Sequence, residues 1–351
     1  MNDSEFIEID GSLGEGGGQI LRTAITFSSI LNKPVKVKNI RYNRPNPGLK
    51  AQHIGTVKIL SDMCGANVEN LKIGAKWLKF KPKGTSKTSL KLEIGTAGSV
   101  PLILSTIVPA ACRNGVGCDI EITGGTDVKW SPTIDYFQFV ILSAFRSIGI
   151  HCTMDIIQRG YYPNGGGIVK VSVKPSTKIM PMHLVSRDYS SISALSVCSN
   201  LPNIIADRQL KSALNYLNSY NLKCNESVID IAKAISPGSS IILYSVNGKG
   251  SFIGADMIGE QGKTAEKVGI QVAKLFINEY LSEAPIDMHL GDILVTPLFL
   301  ADGKSKFKVS TLTPHLKTNL QVASLMTGRK YLIDSNKDGI TTVIIDSYNV
   351  N

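Results

Sequence analysis

The stretch Gly14-Glu15-Gly16-Gly17-Gly18-Gln19-Ile20-Leu21-Arg22-Thr23 sits between two different periodicities. Before it, Phe6-Ile7-Glu8-Ile9-Asp10 alternates apolar and polar residues, the pattern of a strand. After it, Ile20 to Phe27 reads as a helix. This strand–turn–helix admits two readings. Four glycines in five positions let the backbone approach a ligand without a Cβ in the way, and the free N–H groups of a helix start favour an anion. Glu15, Gln19 and Arg22 add an acid, an amide and a fixed cation within two turns, which suits a phosphate. The other reading is a turn that only lets strand and helix pack.

The unit recurs. The first copy continues to Leu31 and then, after a polar linker, to a second helix from about Gly48 to Met63. About eighty residues later, Gly95-Thr96-Ala97-Gly98-Ser99 leads into Pro101-Leu102-Ile103-Leu104, and another helix runs from Pro132 through Ile148. Val35–Ile40, Trp77–Pro82, Ser89–Ile94 and Cys118–Thr123 alternate as strands. A third copy, due near residue 175, comes about a hundred residues late. Its landmarks are Leu290-Gly291-Asp292-Ile293-Leu294, in a helix ending near Ala301, and a helix from about Pro314 to Thr327. The delay predicts an inserted domain over 185–285, with repeats over 1–184 and 286–351. Inside it, Ala206–Tyr220 and Lys263–Leu281 read as amphipathic helices, and Ser227–Ala234, Ser239–Val246 and Ser251–Met257 as strands. The expected class is α/β (α+β): three units of a small sheet backed by two helices, with a smaller α+β insert.

The composition is that of a folded protein, with 43% apolar and 19% charged residues in a chain of 351. The longest apolar run, Val100 to Cys112, is too short and broken to span a bilayer. Met1-Asn2-Asp3-Ser4-Glu5 lacks the features of a signal peptide, so the expected location is cytoplasmic with no membrane partner. A net charge of +10 fits a polyanionic partner or merely a basic solvated surface. The six cysteines form no C-x-x-C pair, which argues against structural zinc; a Cys112–Cys118 disulfide would be unusual in a cytoplasmic protein.

Several side chains are candidates for chemistry. Arg41, Arg44 and Lys50 flank the turn Pro47-Gly48, and the two arginines can grip phosphate bidentately, unless the loop is only a soluble basic surface. His53 falls about one turn into the helix that follows. Asp127, after Gly124-Gly125-Thr126, could bind a metal, but capping neighbouring N–H groups is the commoner role. Arg159-Gly160-Tyr161-Tyr162-Pro163-Asn164-Gly165-Gly166-Gly167 reads as a hairpin-type bend placed near the first glycine loop. In Thr313-Pro314-His315-Leu316-Lys317-Thr318-Asn319, Thr313 can cap and Pro314 suits the first turn, which puts His315 at the positive end of a helix. That position favours the neutral, nucleophilic imidazole, although a lone His at a helix start is commonly structural. His289, with Asp292 close behind, is a second site member or a metal contact. Gly259-Glu260-Gln261-Gly262-Lys263-Thr264 ends like a phosphate-binding loop, but Met257 stands where the first glycine is required, so it reads as a helix start in the insert.

Taken together, Asp10 to Thr23, Arg41 to His53, Gly95 to Ser99, Gly124 to Asp127, Arg159 to Gly167 and Thr313 to Asn319 resemble the RNA 3′-terminal phosphate cyclase family in order and spacing. The resemblance runs over nearly the whole chain. It implies three repeats, each of two helices on a four-stranded sheet, and an ATP-dependent ligase that turns an RNA 3′-phosphate into a 2′,3′-cyclic phosphodiester. Histidine–AMP and RNA-pp-adenosine would be the intermediates, with His315 as nucleophile. It further implies Glu15 at a divalent metal (Mg²⁺ or Mn²⁺), Gln19, Pro132, His289 and Asp292 around the nucleotide, and Arg22, Arg41, Arg44, Gln52 and His53 on the RNA phosphate. A homodimer is left open. The sequence departs from the pattern at Ile293 and Ser105, where many members carry glutamine. Two other readings compete: a noncatalytic ribosome-biogenesis paralogue, which lacks the histidine, and an enolpyruvyl transferase, which needs none.

Overall fold

The computed structural model of the protein describes residues 5–188, 191–248, 250–337 and 339–347. Met1 to Ser4, in the segment read as leaderless, lie outside the described residues. The first unit runs β1 (Ile7–Asp10), α1 (Gln19–Leu31), β2 (Val35–Lys38), α2 (Ala51–Cys64), β3 (Asn67–Glu69) and β4 (Leu78–Lys81). The second runs β5 (Ser89–Glu93), α3 (Val100–Arg113), β6 (Cys118–Gly124), a helix α4 over 134–147 with a π-turn at Phe137–Ile141, then β7 (Cys152–Gln158) and β8 (Gly167–Val173). The third unit opens with the two-residue β9 (His183–Leu184). The chain then leaves through β10 (Ile192–Ser199), α5 (Ile204–Asn218), β11 (Cys224–Ile231), β12 (Gly238–Val246), β13 (Phe252–Ile258) and α6 (Ala265–Leu281). It resumes with α7 (Met288–Leu298), β14 (Ser305–Val309), α8 (Pro314–Thr327), β15 (Tyr331–Ser335) and β16 (Thr341–Ile345).

All three units share one topology. Their sheets are ordered β1-β2-β4-β3, β5-β6-β8-β7 and β9-β14-β16-β15. In each, the first pair is parallel, joined by a crossover helix, and the other pairs are antiparallel. The fourth sheet, β11-β10-β12-β13, lies in sequence between the first strand and first helix of the third unit. It has its own apolar core, including Leu210, Leu217, Val272 and Phe276, beside the larger core shared by the three units.

The helices explain where the chemistry sits. The first helices α1, α3 and α7 touch one another pairwise. Each second helix wedges between two of them: α2 between α1 and α3, α4 between α3 and α7, α8 between α7 and α1. Residues such as Ala24, Ile107 and Leu294 are therefore fully buried. This threefold arrangement brings the start of α8, from the end of the chain, against the loop before α1, at its beginning. Among the described residues, no helix is long and apolar enough to cross a membrane. All six cysteines are free thiols, so Cys112 and Cys118 are not bridged.

Candidate active site

Gly14 has φ +53°, and a Cβ there would lie 2.1 Å from Oγ1 of Thr318 in α8. Only glycine lets this loop sit so close to α8. The result is direct contact between loop and helix start: Oε1 of Glu15 lies 3.0 Å from Nδ1 of His315. Among the described residues, neither of these buried atoms has another hydrogen-bond partner. Oε2 of the same carboxylate accepts a hydrogen bond from Nη2 of Arg44 at 2.7 Å. Burial works to raise the Glu15 carboxyl, but His315 and Arg44 outweigh it and leave the group below its ordinary value. For His315 the contact with Glu15 raises the pKa, against burial and the charge of Arg22. The helix-end expectation of a depressed imidazole is therefore corrected: an adjacent carboxylate outweighs partial charges at a helix start. Because Nδ1 faces Glu15, Nε2 is the nitrogen left free for a ligand.

His315 is held from below. Thr313 caps α8, its Oγ1 accepting from the Leu316 N–H at 2.8 Å, and the same hydroxyl donates to Oδ1 of Asp292 in α7. Asn319 donates from Nδ2 to the Asp292 carbonyl at 2.8 Å and accepts from Oγ1 of Thr23 in α1 at 3.0 Å. These bonds tie α1, α7 and α8 together one turn below the imidazole. Burial pushes the Asp292 carboxyl up to about 6 despite its bond from Thr313.

Cations gather on the other side of the glycine loop. His53, buried in the first turn of α2, accepts from the Lys50 N–H through Nδ1 at 3.2 Å, which leaves Nε2 as the protonated nitrogen. A Cβ on Gly18 would fall 2.0 Å from that Nε2. Burial, followed by the charges of Arg22, Arg41 and Lys50, depresses His53 to about 3, so it is a neutral donor within a cationic cluster. The guanidinium of half-buried Arg22 has no hydrogen-bond or ion-pair partner among the described residues, and desolvation lowers it to about 10. Arg41, at φ +57°, uses Nη1 to hold the Asn46 and Gly48 carbonyls at 2.6 and 3.1 Å. An unpaired guanidinium held at a desolvation cost, beside a neutral N–H donor, suits an anionic group arriving from outside.

A family model for the RNA 3′-terminal phosphate cyclases matches residues 13–333. The RNA 3′-terminal phosphate cyclase of Methanococcoides burtonii is 42% identical over 339 residues, covering 95% of this chain and 98% of that one. The protein of the same name from Archaeoglobus fulgidus is 39% identical over 332 residues, covering 95% and 99%. The chain belongs to the RNA 3′-terminal phosphate cyclase family. The enolpyruvyl transferase NikO of Streptomyces tendae overlaps 97% of this chain and 81% of its own at 10% identity, but a TM-score of 0.25 gives that likeness no weight.

The positions where this cyclase-family chain departs from the usual glutamines are quiet ones. Ile293 packs against the apolar core, and Ser105 donates to the Pro101 carbonyl at 2.8 Å within α3. The remaining site candidates lie around this centre. Gln19 is the half-buried first residue of α1, and Gln52 lies beside His53 on α2. Half-buried Pro132 precedes Thr133, whose N–H donates to Asp256 of β13, while exposed His289 opens α7. Their link is a residue sequence reasoning missed. Asp287 caps α7 by accepting from the His289 and Leu290 N–H groups at 3.0 and 2.9 Å. It also accepts from Tyr136 Oη at 2.6 Å and from the Gly254 N–H at 2.9 Å. An aspartate just before an apolar helix was the available signal. Close by, Glu279 of α6 is buried with Oε2 unpartnered among the described residues, and burial together with the Asp287 charge pushes it up to about 7.

Two expectations change, and a buried ion pair beside them was not foreseen. Asp127 accepts from no N–H group among the described residues: it is buried, accepts from Thr126 Oγ1 at 2.5 Å and lies 3.5 Å from Arg159. Arg159 is itself buried and bidentate to Asp135 at 2.6 and 2.9 Å, so its charge locks α4 rather than facing a ligand. The bend at 160–167 is a hairpin between β7 and β8, but it packs on the second glycine loop rather than the first, with Gly165 against Thr96 and Ala97. The 259–264 segment is a helix start as expected, with Thr264 capping α6.

Among the described residues, no three His, Cys, Asp or Glu side chains are grouped to hold a metal ion. The donor set nevertheless fits a hard cation that keeps most of its water and substrate oxygens, because Glu15 Oε1 is an oxygen with no hydrogen-bond partner but the adjacent imidazole.

Proposed function

We propose that this chain converts an RNA 3′-terminal phosphate into a 2′,3′-cyclic phosphodiester, consuming ATP, through histidine–AMP and RNA-pp-adenosine intermediates. Nε2 of His315 attacks the α-phosphorus of ATP, the bond to the β-phosphate oxygen breaks, and pyrophosphate leaves. Glu15, on Nδ1, fixes the tautomer and steadies the positive charge that develops on the ring. An oxygen of the RNA 3′-phosphate then attacks the phosphorus carried by His315, the P–N bond breaks, and RNA-pp-adenosine forms. Finally the vicinal 2′-oxygen gives up its proton and attacks the 3′-phosphorus, and AMP departs. The activation is needed because a phosphate monoester has a poor leaving group and AMP is a good one.

Arg22, Arg41, Arg44 and the N–H of His53 hold the terminal phosphate, with Gln52 alongside. Pro132, His289, Gln19 and Asp292 border the nucleotide. A divalent cation, Mg²⁺ or Mn²⁺, would be held by Glu15 and would neutralise triphosphate charge when bound. We also read 185–285 as an insert that shapes the nucleotide side through Gly254 and Asp256.

The observation that carries this reading is the Glu15–His315 contact beside an unpaired Arg22. The test is an RNA oligonucleotide with a 3′-phosphate, incubated with ATP and metal. The reading requires a phosphatase-resistant 2′,3′-cyclic end, with one AMP and one pyrophosphate per end. A product formed equally well without ATP would refute it.

A further inference from the structure

The threefold helix arrangement creates a second place equivalent to the reaction centre. As α8 meets the loop before α1 at Thr318 and Gly14, so α2 meets the loop before α3 at Gln52 and Gly98. Counted from the helix starts, Gln52 is the second residue of α2 as His315 is of α8. Counted back from the first helices, Thr96 corresponds to Glu15, and Gly95 (φ +72°) to Gly14 (φ +53°). The reactive pair is thus replaced by an amide and a hydroxyl, which can bind but cannot take up a nucleotide.

A cleft of about 1340 Å³ opens at this place, with Gln52, Ala97 and Ser99 at one end and the insert as its far wall. It exceeds the roughly 300–1,000 Å³ usual for small-molecule pockets. Two large aromatics line it with most of their surface uncovered: Trp130 is 95% exposed at φ +61°, and Tyr162 is 79% exposed. Its cations are already ion-paired, Lys129 and Lys263 sharing Glu260 at 2.5 and 3.3 Å and Arg208 on Glu266 at 2.6 Å. Asp127 and Tyr161, also in its wall, are buried, and Oδ1 of one and Oη of the other lack hydrogen-bond partners among the described residues. Exposed rings over an apolar floor, without free cations, suit stacked bases better than a phosphate backbone. Gln52, at one end of the cleft, directly precedes His53 of the cationic cluster in α2.

We propose that this cleft holds the unpaired nucleotides preceding the reacting end of the RNA, with Trp130 and Tyr162 as stacking platforms. The inference rests on the cyclase reading, and its test separates the two. In a Trp77→Phe background Trp130 is the only tryptophan left of the chain's two. Binding of a single-stranded oligoribonucleotide 3′-phosphate should quench its fluorescence, whether or not catalysis occurs. Trp130→Ala/Tyr162→Ala should raise KM for that oligonucleotide by roughly tenfold or more. The same variant should leave the KM for a nucleoside 3′-phosphate, which has no neighbouring base, as it was, with protein–AMP formation as the folding control. Unquenched Trp130 at saturating RNA, an equal KM on the oligonucleotide, or an equal loss on the nucleoside phosphate would each overturn the cleft assignment. Normal quenching without cyclisation would instead sink the cyclase reading.

Discussion

Oε1 of Glu15 and Nδ1 of His315 meet at 3.0 Å although they come from opposite ends of the chain. The pairing raises the imidazole pKa, and so sets a pH dependence. On the proposed mechanism His315 attacks only when Nε2 is unprotonated, so adenylylation should fall as pH drops through a midpoint above the ordinary histidine value. Glu15→Gln removes the largest cause of the rise. Its acid limb should shift to lower pH, and its plateau should drop by roughly a hundredfold as the ring loses its orienting partner. Single-turnover adenylylation across pH reads both effects, and an unmoved midpoint would contradict the assigned role of Glu15.

Arg22 is held desolvated and unpaired, at a cost to folding. Arg22→Gln should therefore raise the melting temperature of the free protein, while slowing AMP transfer to RNA by roughly a hundredfold or more. Protein–AMP should accumulate in this variant. Lower stability with normal transfer would mean that Arg22 is structural.

The Thr313 hydroxyl both caps α8 and bonds Asp292. Thr313→Val should cost about 1–2 kcal/mol by denaturant unfolding and slow adenylylation, and Thr313→Ser should restore both. Failure of serine to rescue would show that methyl packing, not the hydroxyl, matters there.

Glu279 is a carboxyl whose folded pKa is raised, to about 7. Between its ordinary value and that one, the folded state binds more protons than the unfolded chain, so the group's contribution to stability falls as pH rises. Relative to the native protein, Glu279→Gln should gain roughly 2–3 kcal/mol in moving from pH 4 to pH 8. Parallel stability curves for the two proteins would rule this out.

Much of this fold was legible in the chain because its units repeat. The glycine loops, both helices of each unit and the late third copy are written in period and spacing; α8 begins and ends where the pattern places it, at Pro314 and Thr327. β9 was not legible, since two residues carry no periodicity, and neither was β3, at three. At the candidate site, His315, Glu15 and the arginines were marked by their own chemistry. Asp287 and the Arg159–Asp135 pair were missed because their partners come from distant elements, and a buried charge looks the same in sequence as an exposed one. The direction of the His315 shift was misjudged for the same reason, since it depends on a carboxylate that only the helix ring brings near.

If one imidazole carries the nucleotide, α-labelled ATP should mark it. The native protein, given metal and this ATP, should form an acid-labile, alkali-stable protein–AMP adduct, and His315→Ala should form none. An undiminished adduct on the His315→Ala protein would mean that another group takes up the nucleotide.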